Sequence, residues 1–76
     1  MKLTEVKSSN VKAVGYATGS LLVRFGSGAI YRYKGVPQSV YDGLMAAESK
    51  GKFMSAEVYG RFEYAKITEA ELNEIG

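Results

Sequence analysis

Two short glycine-containing turns constrain what this 76-residue chain can fold into more than any other feature. They lie at 18–19 and at 26–28, and the segments beside them alternate apolar and polar side chains. Alternation with a period of two is typical of a strand with one buried face, and such turns join antiparallel neighbours. The pattern therefore predicts a three-stranded antiparallel meander with strands at 11–17, 20–25 and 29–34.

The turns also predict which side chains share a face of this meander. A two-residue first turn sets Val14 opposite Val23. The second turn admits two lengths: two residues set Arg32 against Val23, whereas three residues ending at Gly28, which supplies a positive φ, set Tyr31 there. We favour three residues, because that register assembles one continuous apolar face.

This register divides the meander into an apolar face and a basic face. The apolar face, which we expect to pack on a helix, carries Val14, Tyr16, Leu21, Val23, Phe25, Ala29, Tyr31 and Tyr33. The opposite face, which we expect to be solvated, carries Gly15, Leu22, Arg24, Ile30, Arg32 and Lys34. The tyrosines of the Tyr31-Arg32-Tyr33 segment are therefore expected in the core, and a register shift of one residue would instead expose them as a base-stacking platform.

Helical spacing follows the meander. Apolar residues recur three and four apart over 38–49, directly after Pro37, which predicts one main helix lying on the sheet. Gly51 is the expected C-terminal stop of this helix. Ser55 is then placed to cap a short helical turn at 56–59.

The last part of the chain predicts a strand and a helix. Alternation over 61–67 predicts a short extended segment with Phe62 and Tyr64 facing inward. Residues 68–71 have the spacing of a capping box, Thr-x-x-Glu, which predicts a C-terminal helix in the acidic tail 68–76. The predicted architecture is α+β: one domain over 1–67, with the meander packed on one main helix, followed by this tail.

Composition excludes most enzyme chemistry. The chain has no cysteine and no histidine, which removes disulfides, thiolate metal sites, thiol nucleophiles and the imidazole base. Ser9 and Lys12 have the Ser-x-x-Lys spacing of some acyl-transfer enzymes, but they enter a strand, where residues three apart point to opposite sides. We expect a non-enzymatic protein without cofactor or metal. No apolar run has the length of a membrane span, so a cytoplasmic location without a membrane partner is expected.

Positive charge is concentrated in the predicted domain. Residues 1–67 hold 10 Lys and Arg against 5 acidic residues, a net +5, whereas 68–76 hold 3 acidic residues and no basic one. Such a charge suits a polyanionic partner, although it also serves solubility. The candidate nucleic-acid contacts are Arg24, Arg32, Lys34, Lys50, Lys52 and Arg61. For Lys50 and Lys52, the predicted helix C-terminus favours capping over binding a phosphate.

Several short motifs occur in a fixed order between Val6 and Tyr64. They are Ser8-Ser9-Asn10-Val11, Gly15-Tyr16, Leu21-x-Val23-x-Phe25, Tyr31-Arg32-Tyr33, Val36-Pro37, Val40-Tyr41, Ala47-x-Ser49-Lys50-Gly51 and Phe53. In order and spacing they resemble the KTSC domain, a small module at the C-terminus of some lysyl-tRNA synthetases that also occurs as a stand-alone bacterial or phage protein. The family has no established activity, and its tRNA-synthetase context implies RNA binding.

Two hypotheses follow for the function. The first is a binding module with weak affinity for nucleic acid, RNA before DNA, through the six basic residues. The alternative is a protein-interaction module that uses the outer face of the sheet around Leu22 and Ile30, two aliphatic residues expected among charges.

Overall fold

The computed structural model describes residues 1–8 and 10–75. Ser9, half of the Ser-x-x-Lys match, and Gly76, the last residue of the acidic tail, lie outside the described residues. The elements of the described part are β1 (Thr4–Glu5), β2 (Val11–Ala17), β3 (Ser20–Phe25), β4 (Ile30–Lys34), α1 (Gln38–Ala46), α2 (Lys50–Glu57), β5 (Tyr64–Ile67) and α3 (Glu69–Glu74). The α+β class is confirmed.

The predicted register of the meander is confirmed. Val23 pairs with Tyr31 across β3 and β4. Gly28 has a φ of 95°, the left-handed region that glycine adopts without a steric cost. Its N–H donates to the carbonyl of Phe25 at 2.9 Å, and the N–H of Phe25 donates to the carbonyl of Ala29 at 2.9 Å. The three-residue loop therefore fixes which side of the sheet the tyrosines occupy.

The predicted three strands are the centre of a larger sheet. Within the described residues the sheet has five antiparallel strands in the order β1-β2-β3-β4-β5. β1 pairs with β2 through Glu5 and Ala13, and a strand of two residues is too short to show alternation. β5 pairs with β4, with Tyr64 opposite Tyr33, so the predicted extended segment is a sheet strand that begins three residues later than expected.

The helix predicted over 38–49 is wrong in length and number, because α1 and α2 are two helices. α2 begins after Ser49, whose hydroxyl accepts from the N–H of Lys52 at 3.3 Å as an N-cap. Gly51 and Ser55 both lie inside α2. They are therefore neither the stop nor the cap that the sequence predicts.

Lys50 closes the junction between the two helices. Its Nζ donates to the carbonyls of Met45 and Ala47 at 3.0 and 2.5 Å, at the C-terminal end of α1, where the helix dipole favours a cation. The capping role predicted for Lys50 is thus confirmed. The helices also pack closely, since a Cβ on Gly43 of α1 would stand 2.9 Å from the ring of Phe53 in α2.

The inner face of the sheet, defined as the face that packs on α1 and α2, holds the larger apolar cluster. Its buried members are Val11, Val14, Leu21, Val23, Tyr33, Val36, Leu44, Met54 and Val58. Leu44 comes from α1 and Met54 from α2, so both helices contribute to one layer. The face predicted to be apolar is the one that packs.

The outer face is not solvated as predicted. Leu22 and Ile30 are 0% and 3% exposed, and Leu72 of α3 lies against them at 2%. Surrounding this second cluster are Met1, Leu3, Ile67 and Ile75. The expected exposure of Leu22 and Ile30 is therefore wrong, because a helix that follows β5 folds back over them.

The capping box predicted for α3 is confirmed. Thr68 accepts from the N–H of Glu71, and the Glu71 carboxylate accepts from the N–H of Thr68, both at 3.1 Å. These reciprocal bonds satisfy amides that would otherwise be unpaired at the start of the helix. They begin α3 directly after β5, which brings Leu72 onto the outer face.

Replacing Leu72 by alanine tests whether α3 is part of the folded domain. Removal of a fully buried leucine side chain should lower the free energy of unfolding by about 2–3 kcal/mol. Urea unfolding followed by circular dichroism measures this change. The matched control is Asn73→Ala, an exposed neighbour, with an expected change below about 0.5 kcal/mol. Equal values for the two variants would show that α3 does not stabilise the sheet.

Candidate functional site

Five aromatic rings contact one another on the inner face, and we call them the aromatic cluster: Phe25, Tyr31, Tyr33, Tyr59 and Tyr64. Ring centroids are 5.5 Å apart for Phe25 and Tyr31 and 5.7 Å apart for Tyr31 and Tyr64. Tyr33 lies 5.7 Å from Tyr64 and 6.5 Å from Tyr59. Separations of this size are typical of interacting aromatic pairs.

Strand register and one helix end bring these rings together. Tyr31 and Tyr33 are two residues apart on β4 and so share a face, and Tyr64 joins them because it is the direct partner of Tyr33. Tyr59 follows α2, where its N–H donates to the carbonyl of Met54 at 2.8 Å. Gly60 then turns the chain toward β5 with a φ of 77°.

The helices leave this part of the inner face open. Tyr64 is 63% exposed and Tyr59 43% exposed, whereas Tyr33 beneath them is only 3% exposed. The rings line a depression of about 420 Å³. The core position predicted for Tyr33 is confirmed, while Tyr31 is only half-buried. The inner face therefore presents part of its aromatic surface to solvent without any shift in register.

The hydroxyl at the bottom of the depression stays protonated near neutral pH. Burial raises the pKa of the Tyr33 hydroxyl well above its usual range, and the hydroxyls of the three other tyrosines in the cluster raise it further. Burial also raises the pKa of Tyr59. Neither group is a base or a nucleophile at neutral pH, so both offer a ring face and a neutral hydroxyl.

This shift predicts an alkaline limit to stability. Because folded Tyr33 keeps a proton that the unfolded chain loses near pH 10, the free energy of unfolding should fall as pH rises above about 10, by at most about 1.4 kcal/mol per pH unit from this group. Urea midpoints at pH 8, 10 and 11 measure the fall. Tyr33→Phe should show a smaller fall, and the control Tyr41→Phe, which removes a hydroxyl outside the aromatic cluster, should retain the full fall. A slope unchanged in Tyr33→Phe would contradict the assignment.

Three of the six predicted basic contacts lie on the outer face. Arg24 forms an ion pair with Glu69 of α3. Arg32 donates through its Nε to the Oγ of Ser20 at 3.0 Å. Lys34, at the end of β4, is exposed. The two arginines thus make bonds within the domain, and both are partly buried.

The other three basic residues lie elsewhere. Lys50, the first residue of α2, is buried against the end of α1. Lys52 is exposed in the first turn of α2, so the capping role at a helix C-terminus that the sequence predicts for it is wrong. Arg61 is exposed in the loop before β5. Because α2 packs on the inner face, these lysines stand on the side of the sheet opposite Arg24 and Arg32. The fold does not gather the six residues into one surface.

Sequence reasoning missed two residues at the aromatic cluster. Lys66 is the direct partner of Tyr31 across β4 and β5 and is exposed on the same face. Its position two residues after Tyr64 in an alternating segment was the available signal. Tyr59 was expected in an isolated helical turn, and nothing in its local sequence indicates the long-range contact with Tyr33.

The described residues hold no group of three or more acidic, histidine or cysteine side chains positioned around a metal ion. No helix of residues 1–8 and 10–75 is long and apolar enough to cross a membrane. The candidate site is thus an uncharged aromatic depression, and Lys66 lies opposite Tyr31, one of the residues that line it.

Together, the five-stranded antiparallel sheet with helices on both faces and the open aromatic depression define a small α+β domain. A family model described as the KTSC domain matches residues 7–62, and the chain belongs to this family. The resemblance found in its sequence motifs is confirmed.

Two relatives match most of their own length. A protein of Tsukamurella paurometabola is 48% identical over 59 residues, which are 75% of this chain and 88% of that protein. The crystal structure of a KTSC domain protein from Yersinia pestis is 31% identical and superposes with a TM-score of 0.83, covering 88% of this chain and 97% of that one. Neither carries the name of an enzyme.

A third relative is much larger. A lysine–tRNA ligase of a Nostoc species is 35% identical over 68 residues, 87% of this chain but only 12% of the ligase. The match therefore concerns a small part of that enzyme and does not extend to the rest of it.

Proposed function

We propose that this domain binds RNA weakly, and DNA less well, through the aromatic cluster and Lys66 on the inner face of the sheet. The observation that carries the proposal is the exposure of two rings of the aromatic cluster: Tyr64 is 63% exposed and Tyr59 is 43% exposed. Proteins that bind single strands commonly combine such rings with a nearby cation. This surface replaces the dispersed set of six basic residues as the proposed contact.

Charge supports the same choice. The chain, with α3 folded onto the sheet, carries a net +2, and Lys66 lies opposite Tyr31 in the strand pair that lines the depression. An ammonium group at the border of an apolar site suits a phosphate whose base lies on the rings. Relatedness to part of a lysine–tRNA ligase, an enzyme that acts on an RNA, agrees with this assignment.

The outer face offers no comparable surface. Its aliphatic residues Leu22 and Ile30 are covered by α3, and its arginines are engaged by Glu69 and Ser20. A partner at this face would have to displace α3 and expose Leu72. We therefore place the functional contact on the inner face.

Lys66→Glu tests the proposal. Binding of a fluorescent eight-nucleotide RNA, measured by anisotropy from 20 to 200 mM salt, should weaken as salt rises, since phosphate contacts release counterions. Lys66→Glu should weaken binding at low salt and reduce the slope of log K against log salt by about 0.7, the value of one single-strand phosphate contact.

The matched control is Lys2→Glu, which makes the same charge change at a depression on the outer side next to Arg24 and Leu72. It should keep the slope and lower affinity much less. Failure of the wild-type domain to bind RNA at 20 mM salt would refute the proposed function. Equal losses in the two variants would show that net charge, and not this site, controls binding.

A further inference from the structure

We infer that the depression in the aromatic cluster is a site for unpaired bases, which stack on Tyr64 and Tyr59, and that it accepts single-stranded RNA with little preference for sequence. This inference rests on the proposed function and specifies its ligand. Three features of the depression carry it: the arrangement of its rings, its concave shape and its uncharged lining.

The rings offer faces at two levels. Tyr33 lies at the bottom, 3% exposed, and Tyr64 and Tyr59 rise on either side of it at 63% and 43%. Their centroids lie 5.7 and 6.5 Å from that of Tyr33, and their planes tilt by 37° and 38° relative to its plane. Contact with a buried ring thus holds the two exposed rings in place. A base that stacks on them therefore costs little side-chain conformational entropy.

The shape favours single strands over duplexes. The rings stand inside a depression of about 420 Å³ between β4–β5 and the turn at Gly60, and not on a ridge. A base reaches them only when it is unstacked from its neighbours and turned out of the strand, which an A-form duplex does not permit. A duplex would meet Lys66 and leave the rings unused.

The lining predicts weak discrimination among bases. Besides the aromatic cluster, the depression is lined by Ser27, Ala29 and Gly60. None of the lining residues therefore has a charged side chain or a side-chain amide. Tyrosine and serine hydroxyls both donate and accept hydrogen bonds, and so they suit any base edge. Every base has a face to stack, and differences should come from stacking strength alone.

A cage of aromatic rings also suits a quaternary ammonium ion, which is the competing ligand for this depression. Cage binding is strengthened by desolvation and by negative charge, but no carboxylate lines this depression. Lys66 lies opposite Tyr31, which lines it, and the chain carries a net +2. Both features oppose a cation and favour the base of an anionic strand.

The test compares Tyr64→Ala and Tyr64→Phe with the intact domain. The probes are eight-nucleotide oligo(A), oligo(U) and oligo(C), an eight-base-pair RNA duplex, and tetramethylammonium. Tyr64→Ala should weaken single-strand binding by about 5- to 100-fold, the usual effect of losing one stacking ring. Tyr64→Phe keeps the ring and should recover most of this loss. Because Tyr64 is largely exposed, circular dichroism should show both variants folded.

A spectroscopic measurement distinguishes stacking from charge attraction. 2-Aminopurine in the centre of the single strand should change in fluorescence on binding to the domain, and this change should be lost in Tyr64→Ala but kept in Asn73→Ala on α3. The three homopolymers should differ by less than about tenfold, since only stacking separates them. The duplex should bind at least about tenfold more weakly than the single strands.

The outcomes separate this inference from the function on which it rests. If no RNA binds at 20 mM salt, both fail. If RNA binds and Lys66→Glu weakens it, but Tyr64→Ala binds like the wild type or the duplex binds as tightly as the single strands, RNA binding through Lys66 stands and base stacking on the aromatic cluster is overturned. Tetramethylammonium binding lost in Tyr64→Ala, with no RNA binding, would identify a cation cage instead.

Discussion

The hydrogen-bonded turn at 26–28 determines the side of the sheet on which every later strand residue lies. Gly28, at a φ of 95°, completes a loop that pairs Val23 with Tyr31. A loop one residue shorter would turn Tyr31 and Tyr33 to the other face, because side chains alternate along a strand. β5 then docks on β4 and inherits this register, so the aromatic cluster depends on a backbone conformation that glycine adopts most easily.

Burial of both faces of the central strand is the second constraint. Leu21, Leu22 and Val23 are consecutive in β3, and each is fully buried, which requires a covering layer on each side. α1 and α2 supply one layer, and α3 with the N-terminal segment supplies the other. The ion pair between Arg24 and Glu69 adds little, since exposed pairs contribute about 0–1 kcal/mol. Apolar contact through Leu72 is what holds α3.

The sequence predicted the parts of the fold that local chemistry controls. The two turns gave the register of β2, β3 and β4, and Thr68 with Glu71 gave the start of α3, because in each case neighbouring residues make the decisive bonds. The break between α1 and α2 was missed, since it contains neither glycine nor proline at 47–49, and the cation that closes it, Lys50, acts through its side chain.

The sequence predicted only part of the candidate site, for a related reason. Alternation assigned Tyr31, Tyr33 and Tyr64 to one face correctly, but which of them is covered depends on how far the helices extend. Tyr59 and Lys66 join the cluster through tertiary contact and strand pairing, neither of which a local pattern specifies. Strand pairing places Lys66 in the same way as Tyr64. The position of the lysine could therefore have been predicted once β5 had been paired with β4.

The inner face is open around Tyr64 because α1 and α2, the helices that cover this face, are short. The residues that stabilise the fold therefore differ from those that are exposed for binding. α1 and α2 have nine and eight residues and are each only about 12–14 Å long, so they do not reach across all five strands. Tyr33 lies at the bottom of the depression, beneath Tyr59 and Tyr64, and its buried ring is part of the core. Tyr64, 63% exposed, removes little area from water and stabilises the fold by about 1 kcal/mol or less. Tyr64 contributes little to folding and is held in place by the buried ring of Tyr33. It is therefore available to contact a ligand.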